Sequence, residues 1–485
     1  MLFNSLSFVA FLLVVFTLYW FVTNRSLKAQ NALLLVASYY FYSCWDWRFL
    51  FLLTFSTFLD YYTGLAIFRS NKLLSRKFWL VLSVGINLGF LGFFKYYNFF
   101  IESFTDFIGQ FGMQPNVSTL NIVLPVGISF YTFHGLSYVF DIYNRKIEPT
   151  TNWVQYSLFV SFFPLLVAGP IERATHLLPQ VERKRTFNYT QAIDGLRQIL
   201  WGFIKKVVIA DNCAEYANMI FNNSTEYAGS TLVLGAVLFS FQIYGDFSGY
   251  SDIALGVARL FGFELLKNFN FPYFSRDVAE FWRRWHISLS TWFKDYLYIP
   301  LGGSRGSIWI SIRNTLIIFV VSGFWHGANW TFIVWGALNA LFIMPSIVFK
   351  ANRKNLDIIA KGSLLPSIKE AFQVAITFSL TVFAWIFFRA ESLTHAFKYI
   401  ERMFSGNLLQ SPYLNAPELN RSKMCLLLLV PFILIEWSER ESNHALEHLG
   451  IHWPKVVRWY FYSVLFFMLF MYMQTEGTKF IYFQF

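Results

Sequence analysis

The chain has 485 residues, of which 56% are hydrophobic and only 14% are charged, and its formal net charge is +11. Soluble globular proteins carry about 25% charged residues, so this composition excludes an ordinary soluble domain. The three cysteines are isolated, which excludes a disulfide framework and a Cys-x-x-Cys metal site. The basic residues lie between apolar blocks rather than in one basic tract, so no nucleic-acid partner is expected.

The hydrophobic residues form separate blocks of about 15 to 25 residues, which as helices match the thickness of a bilayer. The alternation of a closed barrel is absent, so helices must satisfy the backbone in lipid. We therefore predict an all-α polytopic membrane protein with about 10 to 12 transmembrane helices, the shorter segments being re-entrant or interfacial. The predicted segments are 8–23, 32–45, 49–68, 78–100, 121–141, 154–169, 193–210, 229–245, 250–263, 314–345 (long enough for more than one), 371–388, 424–437 and 457–473.

The distribution of basic residues predicts the orientation of the first helix. Arg25 and Lys28 follow the first block, while no Lys or Arg precedes it, so we expect an extracytoplasmic N-terminus and no cleaved signal peptide. The loops 143–148 and 171–185 are both basic although one apparent helix separates them, so one neighbouring segment is not expected to cross. No internal repeat or low-complexity linker is visible, so a single integral domain is expected over 1–485, with its functional core at about 120–345.

Polar residues within the apolar part of the chain concentrate in three stretches, and such residues are functional candidates because they are costly at membrane depth. The stretches are 242–252 (QIYGDFSGYSD), 281–303 (FWRRWHISLSTWFKDYLYIPLGG) and 322–330 (SGFWHGANW). Among the eight histidines, His286 and His326 stand out because each lies in one of these stretches beside a tryptophan. Each is either a packing histidine with one hydrogen bond or a catalytic group.

Imidazole chemistry suits the second interpretation. Burial disfavours the charged form of histidine, so a buried imidazole stays neutral at neutral pH. A neutral imidazole can accept a hydroxyl proton while a carbonyl is attacked and then return it to the leaving group. The sequence contains no H-E-x-x-H motif and no His, Asp or Glu cluster with zinc spacing, so no metal site is expected. Two such histidines fit direct acyl transfer between two bound substrates.

The same stretches carry a family resemblance. QIYGDFSGYSDIALG (242–256), FWRRWHISLSTWFKDYLYIPLGG (281–303) and SGFWHGANWTFIVWG (322–336) resemble the membrane-bound O-acyltransferases, in particular the bacterial branch of alginate O-acetyltransferases and teichoic-acid D-alanylation proteins. LPVGISFYTFHGLSYVFDIY (124–143) and FFPLLVAGPIER (162–173) are similar to the same branch. The resemblance covers the chain from about 30 to 345, in the expected order.

The resemblance implies a ring of tilted helices around a central tunnel in which cavities from the two membrane faces meet. It implies that His326 is the catalytic histidine, acting as a general base on the acceptor or activating an acyl carrier. It implies that His286 is the second active-site histidine, which polarises the acyl carbonyl or stabilises the developing oxyanion. Gly323 and Gly327 are expected to leave room for the tunnel beside the backbone.

Further residues are candidates for substrate or donor contacts. Arg283 and Arg284 either hold the phosphates of a thioester donor or anchor the chain at the interface. Asp246 either orients Tyr244, Ser248 or a histidine, or belongs to a helix-breaking turn with its neighbouring glycines. The remaining candidates in these stretches are Trp285, Trp325 and Asn329.

Two segments outside the histidine motifs also invite interpretation. The stretch 300–306 (PLGGSRG) either cradles a phosphate or forms a plain turn. The final residues 478–485 (TKFIYFQF) are similar to the C-terminal tyrosine motif of small partner peptides in D-alanylation systems. Tyr482 is therefore a candidate acyl relay that leaves the tunnel with the acyl group, the alternative being an aromatic interfacial anchor.

The expected function is that of a multi-pass O-acyltransferase of the bacterial cytoplasmic (inner) membrane. It moves an acetyl group from a cytoplasmic thioester, acetyl-CoA or an acyl-carrier protein, for O-acetylation of an extracytoplasmic polysaccharide. The expected partners are membrane lipid, the donor, the polysaccharide and an extracytoplasmic esterase-like acetyltransferase, and no tightly bound cofactor is expected. D-alanyl transfer to teichoic acid stays open, as does a transporter or channel with an intramembrane His and Asp relay, although that class favours inverted repeats.

Overall fold

The computed structural model describes residues 1, 3–113, 115, 117–167, 169–405, 408–414 and 416–473, and the regular structure of these residues is helical. They form two compact units. The first contains the described residues of Met1–Ala192 together with Val257–Leu266, and the second contains Ile193–Gly256 together with the described residues from Lys267 onward. The expectation of one integral domain over 1–485 stays a prediction.

The first unit contains nine helices among its described residues. They are α1 (Leu6–Thr17), α2 (Leu27–Ser43), α3 (Arg48–Arg69), α4 (Leu73–Leu91), α5 (Tyr97–Gly109), α6 (Ile128–Tyr143), α7 (Trp153–Ser161), α8 (Phe163–Leu166) and α9 (Ala174–Glu182). Short π-helical segments, Leu18–Val22 and Gly92–Tyr96, continue α1 and join α4 to α5.

The second unit holds the remaining helices, two of which, α10 and α12, share residues with the first unit. They are α10 (Tyr189–Phe203), α11 (Asp211–Asn222), α12 (Gly229–Leu260), α13 (Val278–Arg284), α14 (Ile287–Phe293), α15 (Ile308–His326), α16 (Trp330–Val348), α17 (Ile368–Arg389), α18 (Leu393–Phe404), α19 (Ser422–Ser438) and α20 (Lys455–Tyr472). A π-helical segment, Ile204–Ala210, joins α10 to α11.

Side-chain caps determine where many of these helices begin. The Asn152 side chain accepts hydrogen bonds from the backbone at the start of α7, and Asp277 does the same for α13. Ser367 and Glu370 form a reciprocal capping box at the start of α17. Such caps satisfy backbone N–H groups that have no partner within the helix, so these boundaries follow from local sequence.

Among the described residues, six helices are long and apolar enough to cross a membrane, the run from α4 to α5 being counted as one, which agrees with a polytopic membrane protein. They are Arg48–Arg69, Leu73–Gly109, Gly229–Leu260, Ile308–His326, Trp330–Val348 and Ile368–Arg389. Large apolar side chains such as Phe51 and Phe58 on α3 are exposed, as expected for surfaces that face lipid. The estimate of 10 to 12 spans stays a prediction, because helices such as α2 and α6 have only 17 and 16 residues.

The predicted segments differ from the helices at two places. The predicted 154–169 span is divided into α7, with nine residues, and α8, with four, and neither is long enough to cross alone. This agrees with the expectation that one segment near the two basic loops does not cross. The predicted segments 229–245 and 250–263 instead form one continuous helix, α12. By contrast, the block at 314–345 does divide into two helices, α15 and α16, as expected.

The interpretation of Gly245 and Gly249 as a helix-breaking turn is wrong, because both lie inside α12 and serve close helix packing. A Cβ at Gly245 would lie 2.8 Å from the carbonyl oxygen of Lys205, and one at Gly249 would lie 2.7 Å from that of Gly202. Small residues allow two helix backbones to approach closely. The glycines therefore bring α12 against α10 and the π-helical segment that follows it.

Gly249→Ala tests this packing. The added methyl group meets backbone atoms that cannot rotate away, so we expect a loss of about 1–3 kcal/mol in the free energy of unfolding. Gly89→Ala is the matched control, because it is also a helical glycine but a Cβ there meets nothing within 4 Å, so stability is expected to stay equal or rise by up to about 1 kcal/mol. Denaturation of both variants in detergent micelles measures the difference, and equal stabilities would contradict the packing role.

Candidate active site

The structure brings His286 and His326 together in the second unit. Their ring centroids are 6.4 Å apart, with an angle of 55° between the ring planes. Only 1% of His286 and 4% of His326 are exposed. A small group placed between the two rings would therefore meet two imidazoles in a space largely closed to solvent.

His326 lies at the C-terminal end of α15, where Gly327 adopts extended backbone and the chain turns into α16. Its ring meets Trp335 edge-on at 5.1 Å and Phe388 at 5.5 Å, and it lies 4.9 Å from the ring of Trp325. Trp335 comes from α16 and Phe388 from α17, so three successive helices surround this imidazole. The sequence motifs did not indicate Trp335 or Phe388, because aromatic residues are frequent throughout the chain.

Gly323 and Gly327 do not border open space, so the expected role for them is wrong. A Cβ at Gly323 would collide with the backbone of Phe332, and one at Gly327 would collide with the ring of the same residue. Gly336 on α16 likewise packs against the backbone of Phe319 on α15. These glycines therefore hold the first part of α16 against the end of α15, and this contact fixes where His326 lies.

His286 lies between α13 and α14 in a left-handed backbone conformation, with φ 43° and ψ 55°. Its ring meets Phe247 edge-on at 4.6 Å. Neither ring nitrogen has a hydrogen-bond partner among the described residues. Burial lowers the pKa of His286 to about 3, because the interior disfavours the charged form, so the imidazole is neutral and carries one N–H.

Tryptophans connect the two histidine motifs. Trp325 lies beside both imidazoles, 6.1 Å from the ring of His286 and 4.9 Å from that of His326. Trp285 packs at 5.0 Å against Trp385 of α17, which in turn stacks on Trp335 at 5.5 Å. Trp285 and Trp325 are buried within this aromatic cluster.

A buried network of charges lies on the α12 side of the second unit, and it changes the expected roles of two candidates. The Tyr244 hydroxyl donates to the Glu436 carboxylate at 2.9 and 3.0 Å, so its partner is Glu436 rather than Asp246. Asp246 forms an ion pair with Lys206 at 2.6 Å. Lys205 pairs with Asp252 at 2.8 Å and with Glu436 at 3.3 Å. Glu436 was not among the residues predicted from the sequence. It was recognisable as a functional candidate, because it is a carboxylate in an apolar helix and a charge is costly at membrane depth.

Two further candidates have simpler surroundings. The buried Ser248 hydroxyl has no hydrogen-bond partner among the described residues. Asn329 caps α16 by accepting from the Thr331 N–H at 3.0 Å and donates to the Glu391 carbonyl at 2.9 Å. These contacts indicate a structural role for Asn329 at the turn that follows His326. Tyr482 lies outside the described residues.

A cavity of about 670 Å³ lies beside the histidines in the second unit. Ile287, directly after His286, and Ser322, one helical turn before His326, both line it. Its residues are Ala279, Trp282, Arg283, Ile287, Leu289, Ser290, Thr291, Phe293, Lys294, Tyr298, Thr315, Ile318, Phe319, Ser322, Ile343, Ile347, Asn352, Arg353 and Leu356. The volume and the mixture of apolar walls with a few polar and basic groups are typical of a small-molecule site.

The two candidate arginines differ in what they contact. Arg283 lines the cavity and donates to the carbonyl oxygens of Asn352 and Asn355 at 2.8 and 2.7 Å. Arg284 is buried and pairs with Glu280 at 2.7 Å. Arg284 therefore belongs to the packing of α13, whereas Arg283 lies in the cavity wall.

The stretch 300–306 forms a turn rather than a helix N-terminus. Asn314 donates to the carbonyls of Leu301 and Gly303 at 3.2 and 2.9 Å and holds this turn in place. Residues 302–306 contain a G-x-S-x-G pattern, but the pattern does not lie in a strand-to-helix elbow, and Ser304 is exposed.

Within the ranges that the structure describes, no three His, Cys, Asp or Glu side chains are grouped to hold a metal ion.

Comparisons with known proteins agree with this geometry. The family model of the membrane-bound O-acyltransferases matches residues 128–388, which include both histidines. A "probable alginate O-acetylase" of Pseudomonas aeruginosa is 40% identical, over 91% of this chain and 82% of its own length. A peptidoglycan O-acetyltransferase of Helicobacter pylori is 33% identical, over 94% of this chain and 92% of its own length.

A more distant relative is a teichoic acid D-alanyltransferase of Bacillus subtilis, which is 27% identical over 58% of this chain and 73% of its own length. The family match covers more than half of the chain, and the higher identities extend over nearly all of it. The resemblance seen in the motifs is thereby confirmed. The chain belongs to the membrane-bound O-acyltransferase family, and it is a multi-pass membrane enzyme that transfers an acyl group to oxygen.

Proposed function

We propose that this enzyme takes an acetyl group from a cytoplasmic thioester and delivers it to hydroxyl groups of an extracytoplasmic polysaccharide. The observation that carries the proposal is the pair of buried imidazoles, His286 and His326, 6.4 Å apart in one aromatic pocket. Relatives that match most of the chain are named for the acetylation of alginate and of peptidoglycan. Their names support acetyl as the acyl group and a polysaccharide as the acceptor.

The proposed reaction needs one proton acceptor and one group that stabilises negative charge. The acceptor oxygen attacks the thioester carbonyl carbon while His326 takes the hydroxyl proton. His286, neutral because of its lowered pKa, donates its N–H to the developing oxyanion. The carbon–sulfur bond then breaks, and the sulfur receives the proton from His326. The products are an oxygen ester and a free thiol, so protons and electrons balance without a further reactant.

The 670 Å³ cavity is the proposed donor site. Its basic side chains, Arg283, Lys294 and Arg353, suit the phosphates of acetyl-CoA or of a carrier-bound phosphopantetheine. Trp282 in its wall lies 5.6 Å from the ring of Trp335, which contacts His326. A thioester bound with its phosphates at the basic groups would point its acyl end toward the histidine pair.

The proposal includes the cellular setting. The basic loop at 24–31 and the bacterial relatives support the bacterial cytoplasmic membrane with an extracytoplasmic N-terminus. An extracytoplasmic esterase-like acetyltransferase is the proposed partner that completes delivery to the polymer.

Tyr482 stays a candidate relay that carries the acetyl group from the site of His326 to this partner. Full polymer acetylation by a Tyr482→Phe variant would contradict the relay.

Two other functions are less well supported. D-alanyl transfer rests on relatives of lower identity that match little more than half of the chain. A transporter or channel without chemistry does not account for membership of a family of acyltransferases.

The donor assay separates these possibilities. Purified enzyme in proteoliposomes is given radiolabelled acetyl-CoA, labelled acetyl-carrier protein or labelled D-alanyl-carrier protein, with alginate or peptidoglycan fragments as acceptors. We expect acetyl label to become covalently bound to the acceptor. Transfer of D-alanyl label alone would overturn the acetyl assignment, and label that crosses the membrane without covalent product would overturn the enzyme mechanism.

A further inference from the structure

The backbone of His286 is strained, and the strain indicates function. Its φ of 43° lies in the left-handed region, which residues other than glycine adopt at a cost of about 1–3 kcal/mol when the surroundings enforce it. Such conformations cluster at active sites. The residues that enforce the conformation of His286 therefore matter to the site as much as the imidazole itself.

Asn268 makes three hydrogen bonds around this residue. Its backbone carbonyl accepts from the N–H of Ile287 at 2.9 Å. Its side-chain oxygen accepts from the Ser288 hydroxyl at 2.6 Å, and its side-chain nitrogen donates to the Ser251 hydroxyl of α12 at 3.1 Å. Asn268 is itself 1% exposed. The backbone of Asn268 therefore holds Ile287, and its side chain connects Ser288 to Ser251 of α12, the helix that also carries Phe247.

The residues on the other side of His286 are held by the same segment of chain. The N–H of Asn270 donates to the Arg284 carbonyl at 3.0 Å. The His286 carbonyl accepts from the N–H of Ser290 and so forms the first turn of α14. Backbone hydrogen bonds thus tie positions 284 and 287 to residues 268–270, and the Asn268 side chain ties position 288 to α12, so the left-handed residue 286 lies between points that are held on both sides.

We propose that Asn268 is a positioning residue that holds His286 in its left-handed conformation and thereby aims the imidazole at the space shared with His326. This inference rests on the proposed function of the histidine pair. If the two side-chain hydrogen bonds of Asn268 are lost, the start of α14 is no longer tied to α12, and residue 286 can relax toward an ordinary backbone conformation. The direction of its Cα–Cβ bond then changes, and the imidazole leaves the place where the oxyanion forms.

Asn268→Ala is therefore expected to lower kcat by about 10- to 100-fold, since a misplacement of about 1 Å in a catalytic group costs up to that much. The KM for acetyl-CoA should change by less than about threefold, because Asn268 does not line the cavity. Ser288→Ala removes one of the three hydrogen bonds and should give a smaller loss of kcat.

Asn87→Ala is the matched control. Asn87 is equally buried and also makes three hydrogen bonds, with Ser56, Asp60 and Ser83 in the first unit. That variant should lose stability but keep kcat.

Histidine-selective NMR provides a readout that does not depend on activity. The ring signal of His286, identified by its absence in His286→Gln, should move in Asn268→Ala and stay in place in Asn87→Ala. In a double-mutant cycle, Asn268→Ala should lower kcat no further once His286→Gln is present. An unchanged ring signal, or independent losses in the cycle, would overturn the positioning role.

The same experiments separate this proposal from the one on which it rests. If His286→Gln retains wild-type kcat while the ring signal moves in Asn268→Ala, the catalytic role of His286 fails and the positioning of its ring stands. If His286→Gln is inactive and the signal does not move, the positioning role fails and the proposed function stands.

Discussion

His326→Ala is expected to lower the kcat of acetyl transfer by about 10²- to 10⁴-fold, the usual contribution of a positioned acid–base group. His326 lies 6.4 Å from His286 and is nearly fully enclosed by Trp335, Phe388 and Trp325. Only 4% of His326 is exposed, so solvent has little access to replace it as a base. Donor affinity should change little, because the basic groups proposed to hold the donor line the cavity, whereas His326 is not one of its lining residues.

The measurement compares initial rates of label transfer from acetyl-CoA for wild type, His326→Ala and His444→Gln. His444 is the matched control, because it is also a buried histidine of the second unit but pairs with Asp194 at 2.9 Å. His444→Gln should keep most of the activity, and a thermal melt should show that His326→Ala is folded. Comparable activity of folded His326→Ala and wild type would contradict a base role for His326.

The largest expected effect on stability comes from Lys206→Met. Lys206 is 1% exposed and lies between Asp211 at 2.8 Å and Asp246 at 2.6 Å. Methionine keeps the volume but removes the positive charge, which leaves two carboxylates buried without it. Removing one partner from a buried ion pair costs about 3–5 kcal/mol, so we expect a loss of that size in the free energy of unfolding.

Lys146→Met provides the control for this prediction. Lys146 pairs with the carboxylate of Asp141 at 3.1 Å, and its side chain is 51% exposed while that of Asp141 is 3% exposed. Water reaches the lysine end of this pair, so we expect a smaller loss than for Lys206→Met. Denaturant titrations of both variants in detergent micelles measure the two losses. Similar small losses for both variants would show that the buried network contributes little to stability.

The sequence was sufficient to predict the helices and the histidine pair, and the reasons are local. Apolar blocks of bilayer length define most helices directly, and side-chain caps such as Asn152 and Asp277 define where they begin. His286 and His326 are recognisable because each lies in a distinctive motif. The family resemblance implied that both belong to one site, and in the structure their ring centroids lie 6.4 Å apart.

The other features of the site could not be predicted, because they depend on contacts between residues that are far apart in the sequence. The stretch around Gly245 and Gly249 has the composition that is typical of a turn. Only the close approach of the Gly202 and Lys205 backbones to these two glycines shows that they are packing positions. Glu436 lies 192 residues from Tyr244, its hydrogen-bond partner. Asn268 carries no motif, and its importance follows from its hydrogen bonds to residues on either side of the site.

A double-mutant cycle between the two histidines tests the central claim most directly. Single-turnover transfer of labelled acetyl from acetyl-CoA to the polymer is measured for wild type, His286→Ala, His326→Ala and the double variant. If the two imidazoles serve one reaction centre, their effects are strongly non-additive, and the double variant should be about as slow as His326→Ala alone. Losses that multiply in the double variant would mean that the histidines act independently, which would contradict a shared active site.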